Sequence, residues 1–463
     1  MNVIPRLVVA GAGSGVGKTT VTVGLCRALR ARGLTVAVFK CGPDYLDPTY
    51  HQRAAGRPSH NLDGWMMGRA AATATFVRAS AGADIALIEG MMGLFDGASP
   101  TSEEGSTAEL AKWLNAPVLL VVDASGVARS IAALVGGFAA FDRDLAVGGV
   151  ICNHVGGRGH VELLRQAQHT PPILGGLSRQ SRLAFPERHL GLRSADRAAV
   201  PDEVIDGWGA QVAEAIDLDA VVALARGAPP LPAMEAAPPP PPTSGRGPAA
   251  VRCRIGVALD DAFHFYYEDN LRRLEALGVE LVRFSPLGDA RLPDVDGLYI
   301  GGGYPEAHAA ALAGNRSMRD DIARLAGAGK PIYAECGGLM YLARAVRGLD
   351  GHDHAMVGVL PGIAVMSDRL EAIGYVEVET QGPSLLGPAG LRFRGHQFRY
   401  SRLQGAEAAA GAYTIRRPGG GVTATEGYRA GSVLGSYVHA HWASNPQVAE
   451  GFVTGCAAAR SPV

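Results

Sequence analysis

Continuous apolar runs punctuate the first half of the chain at residues 7–10, 36–39, 85–88, 118–122 and 150–152. Runs this short and this uniformly apolar mark strands buried on both faces, as in a parallel sheet. Between the first two, residues 20–32 have helical spacing, and Gly33 supplies a stop signal. Strand, helix and strand in that rhythm predict a doubly wound α/β sheet. The second half repeats the rhythm, with strands predicted at 255–259, 281–284, 298–300 and 332–334 and helices near 269–277 and 318–328. A second α/β domain is therefore predicted, without any internal sequence repeat.

A proline-rich stretch separates the halves. Residues 227–250 contain Pro229, Pro230, Pro232, the run 238–242 and Pro248, a composition that helix and sheet interiors do not accept. The predicted organisation is a domain at 1–226, a linker at 227–250 and a domain at 251–463. A chain of 463 residues can bury two such cores. Its formal net charge of −1 argues against the basic face of a nucleic-acid-binding domain, and no apolar stretch is long enough to cross a membrane. Residues 1–9 read as a first strand rather than a signal peptide. The six cysteines are scattered without a C-x-x-C pair, which fits the reduced thiols of a cytoplasmic enzyme.

The run Ala12-Gly13-Ser14-Gly15-Val16-Gly17-Lys18-Thr19 is a phosphate-binding loop, whose glycines let backbone N–H groups turn toward an anion at a helix N-terminus. It follows an apolar strand and precedes a helix, as such a loop requires. ATP or GTP is the expected ligand, bound by Gly15, Gly17, Lys18, Thr19 and Thr20, with Lys18 on the β/γ-phosphates and the Thr19 hydroxyl on Mg²⁺. Two acidic segments follow strand ends, where doubly wound folds collect their ligands. One is Lys40-Cys41-Gly42-Pro43-Asp44-Tyr45-Leu46-Asp47-Pro48; the other is Glu89-Gly90-Met91-Met92-Gly93-Leu94-Phe95-Asp96-Gly97. Asp44 and Glu89 are predicted Mg²⁺ ligands, because Mg²⁺ prefers hard oxygens and keeps several waters. Asp47 and Asp96 are assigned to the substrate side. Asn153, after the strand at 150–152, is either an adenine contact or a turn residue.

Cys336 stands apart from the other cysteines. Tyr333-Ala334-Glu335-Cys336-Gly337-Gly338 puts it among small residues at a strand end, which is what a nucleophile elbow needs. Upstream, Gly301-Gly302-Gly303-Tyr304-Pro305-Glu306 caps a strand, and the amides of Gly302, Gly303 and Gly337 are candidates for an oxyanion hole. Downstream, Gly435-Ser436-Tyr437-Val438-His439-Ala440-His441 offers His439 to deprotonate the thiol. A nucleotide site in one half and a nucleophilic cysteine in the other is the logic of a glutamine-dependent, amide-forming enzyme.

Together these residues resemble the corrinoid a,c-diamide synthases (cobyrinate or hydrogenobyrinate a,c-diamide synthases) of cobalamin biosynthesis. The carriers are residues 11–20, 40–48 and 89–97, then Pro186-Glu187-Arg188-His189-Leu190-Gly191-Leu192, residues 301–306 and Glu335-Cys336-Gly337-Gly338. Gly395-His396-Gln397-Phe398-Arg399-Tyr400-Ser401 and residues 436–439 complete them. The resemblance covers nearly the whole chain outside the linker. It implies a dethiobiotin synthetase-like, ATP-dependent amidoligase followed by a class I, triad-type glutaminase. It also implies ATP and Mg²⁺ as cofactors, and L-glutamine and a corrinoid polycarboxylate as partners, with a homodimer as an allowed assembly. Amidation at the c and a side chains would run through an acyl phosphate and ammonia. Arg188, with Arg179, Arg182 and His189, either recognises substrate carboxylates or belongs to a solvated loop. The Ala-, Gly- and Arg-rich composition leans toward the cobalt-free ring.

The chain departs from the triad pattern at one point. Where triad glutaminases carry a Glu two residues after the histidine, this chain has His441. A Cys336–His439 dyad is expected, with His441 as the lesser candidate for the base. Two rival readings are a cobyric acid synthase-type amidation of other corrinoid carboxylates and a non-enzymatic partition or regulatory ATPase. Against the second stand the Cys336/His439 pair and Gly13, which occupies the position where that branch carries an extra lysine.

Overall fold

The computed structural model describes residues 4–180, 200–232, 251–420 and 423–460, and the chain divides into two units, 1–237 and 238–463. The first unit forms around β1 (Arg6–Gly11), β2 (Val36–Cys41), β3 (His60–Leu62), β4 (Ile85–Glu89), β5 (Val118–Asp123), β6 (Val147–Val155) and β7 (Ile173–Ser178). The order is β3-β2-β4-β1-β5-β6-β7 and every pairing is parallel. Each apolar run of the sequence is one of these strands; the short β3 and the glycine-interrupted β7 lacked a run to announce them. Helix α1 (Lys18–Ala31) starts two residues earlier than its periodicity predicts. Gly17, at φ 95°, is its N-cap, so the phosphate loop passes directly into the helix.

Helix α1 lies beside helix Asp202–Ala215, and Gly24 permits the approach, since an added Cβ would stand 2.5 Å from Val212 Cγ2. At the opposite end of β1, Arg6 is fully buried. Its guanidinium donates to the carbonyls of Leu114 (2.5 Å), Ile4 (3.0 Å), Asn115 (3.3 Å) and Pro229.

In the second unit, β8 (Cys253–Ala258), β9 (Val279–Phe284), β10 (Gly297–Ile300) and β11 (Ile332–Glu335) form the parallel part of a ten-stranded sheet. Beyond β11 come Val433–Ser436, Ala424–Ala430, Ala410–Arg416, Ala372–Thr380, Arg392–Arg399 and the two-residue strand His439–Ala440. After Val433–Ser436 these neighbours are antiparallel. Side chains alternate between two cores: Leu298, Ile300, Ile332 and Ala334 on one face, Tyr299 and Tyr333 on the other. The parallel part matches the predicted strands; the antiparallel part was not predicted, because its strands are half-exposed and carry no continuous apolar run.

Arg6→Met would leave buried carbonyls unpaired, at about 1–3 kcal/mol each. A loss of about 3 kcal/mol is expected, lowering the calorimetric transition of the first unit by about 6–12 °C while that of the second unit stays put. An unchanged first transition would refute the anchoring role.

Candidate active sites

In the first unit the site grows from three strand ends. Gly15 and Gly17 adopt φ 77° and 95°, turning the loop after β1 back on itself. A Cβ on Gly17 would stand 2.1 Å from Asn153 Nδ2, and Asn153 donates to the Val16 carbonyl at 2.9 Å. Asn153 lies inside β6, where its amide braces the loop. Lys18 donates to the carbonyls of Gly13 (2.9 Å) and Met92 (2.5 Å), the latter presented by a residue at φ 45°. Burial, reinforced by the charge of Lys40, lowers the Lys18 ammonium to about 8, so it remains mostly cationic at neutral pH.

Glu89 closes β4 with no exposed surface. Its Oε1 accepts from Thr19 Oγ1 (2.7 Å) and Lys40 Nζ (2.9 Å), and its Oε2 meets His51 Nε2 at 2.5 Å. Lys40 also pairs with Asp47 at 2.6 Å. Burial opposes ionisation of Glu89, but Lys40 and His51 outweigh it and hold the carboxyl well below its usual range. Lys40 stays cationic for the matching reason: burial opposes its charge, and Asp47 and Glu89 overcome it. Asp47 is the carboxyl readiest to take a proton, because burial and the neighbouring Asp44 push it up to about 6. Asp44 Oδ1 accepts from the amides of Leu46 and Asp47, holding the turn that opens helix α2 (Leu46–Ala55). Asp96 is exposed and accepts from the Gly93 amide.

Thr19, Glu89, Lys40 and Asp47 are thus brought together, and Asp44 is close enough to act on Lys40 and Asp47. Among the described residues no group of three or more His, Cys, Asp or Glu side chains is arranged to hold a metal alone. Hard oxygens from Thr19, Glu89 and Asp44 fit Mg²⁺, which takes one or two carboxylates and completes its shell with phosphate and water. Arg179 is exposed after β7, whereas Arg182, Arg188, His189 and the motif 186–192 lie outside the described residues.

In the second unit Cys336 follows β11 at φ 49°, ψ −101°. That positive φ is strained for a residue with a side chain, and it is held by the Cys336 amide donating to the Ser436 carbonyl at 2.7 Å. Short helix Gly337–Leu342 begins at once. A Cβ on Gly338 would stand 2.2 Å from the Ile300 carbonyl oxygen, and one on Gly337 2.9 Å from Pro305 Cδ and 3.0 Å from Gly303 N. A Cβ on Gly302 would stand 2.5 Å from His439 Cε1. Packing therefore gathers Cys336, Gly337, Gly303, Gly302 and His439. His441 lies at the start of a one-turn helix, its Nδ1 accepting from the Ala443 amide and its ring against Tyr267.

Burial, reinforced by the Glu306 carboxylate, pushes the Cys336 thiol up to about 12, while Arg399 and the Gly337 amide pull the other way. Burial and the neighbouring His396 bring His439 down to about 3. At rest the pair is therefore neutral thiol and neutral imidazole. Sequence reasoning assigned no role to Lys40, His51 or Glu335. A charge ending an apolar strand, the signal already used for Glu89, would have found Lys40 and Glu335. His51 carried no such signal.

Gly302→Ala is expected to displace the imidazole and cut glutamine hydrolysis about 100-fold, read as kcat of glutamate release; an unaltered kcat would contradict the packing. A raised thiol pKa means that thiolate is scarce at neutral pH and grows as pH rises. Iodoacetamide labelling of Cys336, corrected with Cys336→Ala, should climb about tenfold per pH unit from 7 to 10. A plateau near pH 8.5, the ordinary thiol value, would show that the thiol is not desolvated.

Family models match both halves: a CobQ/CobB/MinD/ParA nucleotide binding domain over residues 7–192 and a CobB/CobQ-like glutamine amidotransferase domain over residues 254–447. The cobyrinate a,c-diamide synthase of Leptospira interrogans serogroup Icterohaemorrhagiae serovar copenhageni is 50% identical over 459 residues, covering 98% of this chain and 99% of its own. That of Syntrophotalea carbinolica is 48% identical, covering 98% of each. The hydrogenobyrinate a,c-diamide synthase of Streptomyces coelicolor is 43% identical, again covering 98% of each. With both domain models present and these identities sustained end to end, the chain belongs to the cobyrinate/hydrogenobyrinate a,c-diamide synthase family.

Proposed function

We propose that the protein amidates the a and c carboxylates of cobyrinate or hydrogenobyrinate, using ATP and the side-chain nitrogen of glutamine. The observation that carries this reading is the pairing, in one chain, of a phosphate loop wired to a buried carboxylate (Thr19 to Glu89, 2.7 Å) with a strained cysteine elbow beside the Gly302-Gly303 loop, whose Gly302 also meets His439.

Cys336 Sγ attacks the glutamine amide carbon as His439 takes the thiol proton, and the amides of Gly302, Gly303 and Gly337 face the developing oxyanion. His439 returns the proton to the departing ammonia, and water then releases glutamate from the thioester. In the first unit the corrinoid carboxylate attacks the γ-phosphorus of ATP, the bond to the β,γ-bridging oxygen breaks and ADP leaves, giving an acyl phosphate, with Lys18 balancing charge on the transferring group. Gly15, Gly17 and Thr20 bind phosphate, and Asn153 borders the adenine side. Thr19, Glu89 and Asp44 would hold Mg²⁺, which would supply charge neutralisation for phosphoryl transfer. Asp47, Asp96 and Arg188 serve the substrate side. Ammonia opens the acyl phosphate to give the amide and phosphate, and the cycle repeats at the second carboxylate.

In this reading residues 1–226 are the amidoligase, 227–250 the linker and 251–463 the glutaminase. The first fold is dethiobiotin synthetase-like, which the all-parallel sheet with its loop after the inner strand β1 supports. The second is class I glutaminase-like, supported by the elbow after β11.

The test is mass spectrometry of each ring, cobyrinate and hydrogenobyrinate, after incubation with enzyme, MgATP and glutamine. A product bearing two amides is expected. Cys336→Ala should form it only from ammonia, whereas Lys18→Met should lose at least about 100-fold with either nitrogen source. No mass change on either ring would sink the corrinoid assignment.

A further inference from the structure

Two buried carboxylates grip the main chain on either side of His439. On the upstream side, Glu426 accepts from the Ser436 hydroxyl (2.5 Å) and the Tyr437 amide (2.7 Å), and Ser436 Oγ accepts from the Val438 amide (2.9 Å). On the downstream side, Glu335 Oε1 accepts from the Ala440 amide at 3.0 Å. Glu335 is itself clasped by two phenols: Tyr333 OH donates to Oε1 and Tyr299 OH to Oε2, each at 2.9 Å. It is 1% exposed. The residue preceding the thiol therefore binds the amide following the imidazole.

The sheet holds the chain as far as Ser436, which pairs opposite Glu335 and accepts from the Cys336 amide at 2.7 Å, and other contacts must hold the three residues from there to His439. Strand His439–Ala440 pairs with Arg392–Arg399, His439 opposite His396. In the sheet order five strands stand between it and β11, so the ladder by itself does not register His439 against the elbow beyond Ser436. A reacting pair needs its spacing held to about 0.5 Å. Glu335 makes a direct tie between the end of β11 and that edge strand. A second tie runs on the same side: Asn270 Nδ2 donates to the Ala440 carbonyl at 2.8 Å, and its Oδ1 accepts from the Trp442 amide at 2.9 Å.

We propose that Glu335 is a positioning residue for the Cys336–His439 pair. Through the Ala440 amide it supplies the orientation that a triad carboxylate gives through the imidazole, at the position this chain fills with His441. The proposal rests on the glutaminase reading above.

The test is Glu335→Gln in the full chain, which keeps the shape and exchanges one acceptor oxygen for a donor. Glutamine hydrolysis should lose about 10- to 100-fold in kcat with KM changed by less than about threefold, because glutamine still binds and the pair is misaligned. Hydrogen exchange in the peptide spanning residues 437–441 should quicken in the same variant. If Glu335→Gln does not fold, Tyr299→Phe removes one donor while leaving the carboxylate in place; it should lose about three- to tenfold in kcat at constant KM. A parental kcat in a folded Glu335→Gln, or in Tyr299→Phe where that variant has to stand in, overturns the proposal. So does a kcat loss matched by an equal rise in KM. Cys336→Ala separates the two levels. If it still hydrolyses glutamine, the glutaminase reading has failed; if it is inactive while Glu335→Gln works normally, only the positioning role has failed.

Discussion

A carboxylate without access to water must find its compensation inside the protein, since an isolated buried charge is prohibitively unfavourable. Both units meet this constraint at the same structural address, the last residue of an inner parallel strand. Glu89 ends β4 and Glu335 ends β11, and neither has more than 1% of its surface exposed. Around Glu89 the compensation is ionic from Lys40, with His51 and the Thr19 hydroxyl as hydrogen-bond partners. Around Glu335 it is neutral, from two phenols and one amide, and burial raises that carboxyl to about 7. In each unit, satisfying the acid draws together the side chains or main chain that the chemistry needs.

The two sites consequently have opposite electrostatic characters. The phosphate loop opens onto a dense set of paired charges, suited to a polyanion whose own charge must be balanced as it reacts. The cysteine site rests uncharged, since desolvation disfavours both thiolate and imidazolium.

Much of this was legible in the sequence, and the boundary of what was not has a physical origin. Parallel strands announce themselves because both faces are buried, and glycines at a loop or elbow do so because few residues tolerate those backbone angles. The antiparallel strands of the second unit expose one face and offered only weak alternation. Partnerships were harder still. Lys40 meets Glu89 across 49 residues, and Glu335 meets Ala440 across 105. No local pattern encodes such a pairing. Asn153 illustrates the same limit: its position after an apolar run was readable, and its attachment to Val16, 137 residues away, was not.

That attachment carries a consequence for nucleotide affinity. With Gly17 pressed against Asn153 and the Val16 carbonyl tethered to β6, the cradle is shaped by a neighbouring strand before any anion arrives. The entropy of curling the loop is spent during folding, so an incoming triphosphate meets a finished mould and most of its contact energy is left to appear as affinity.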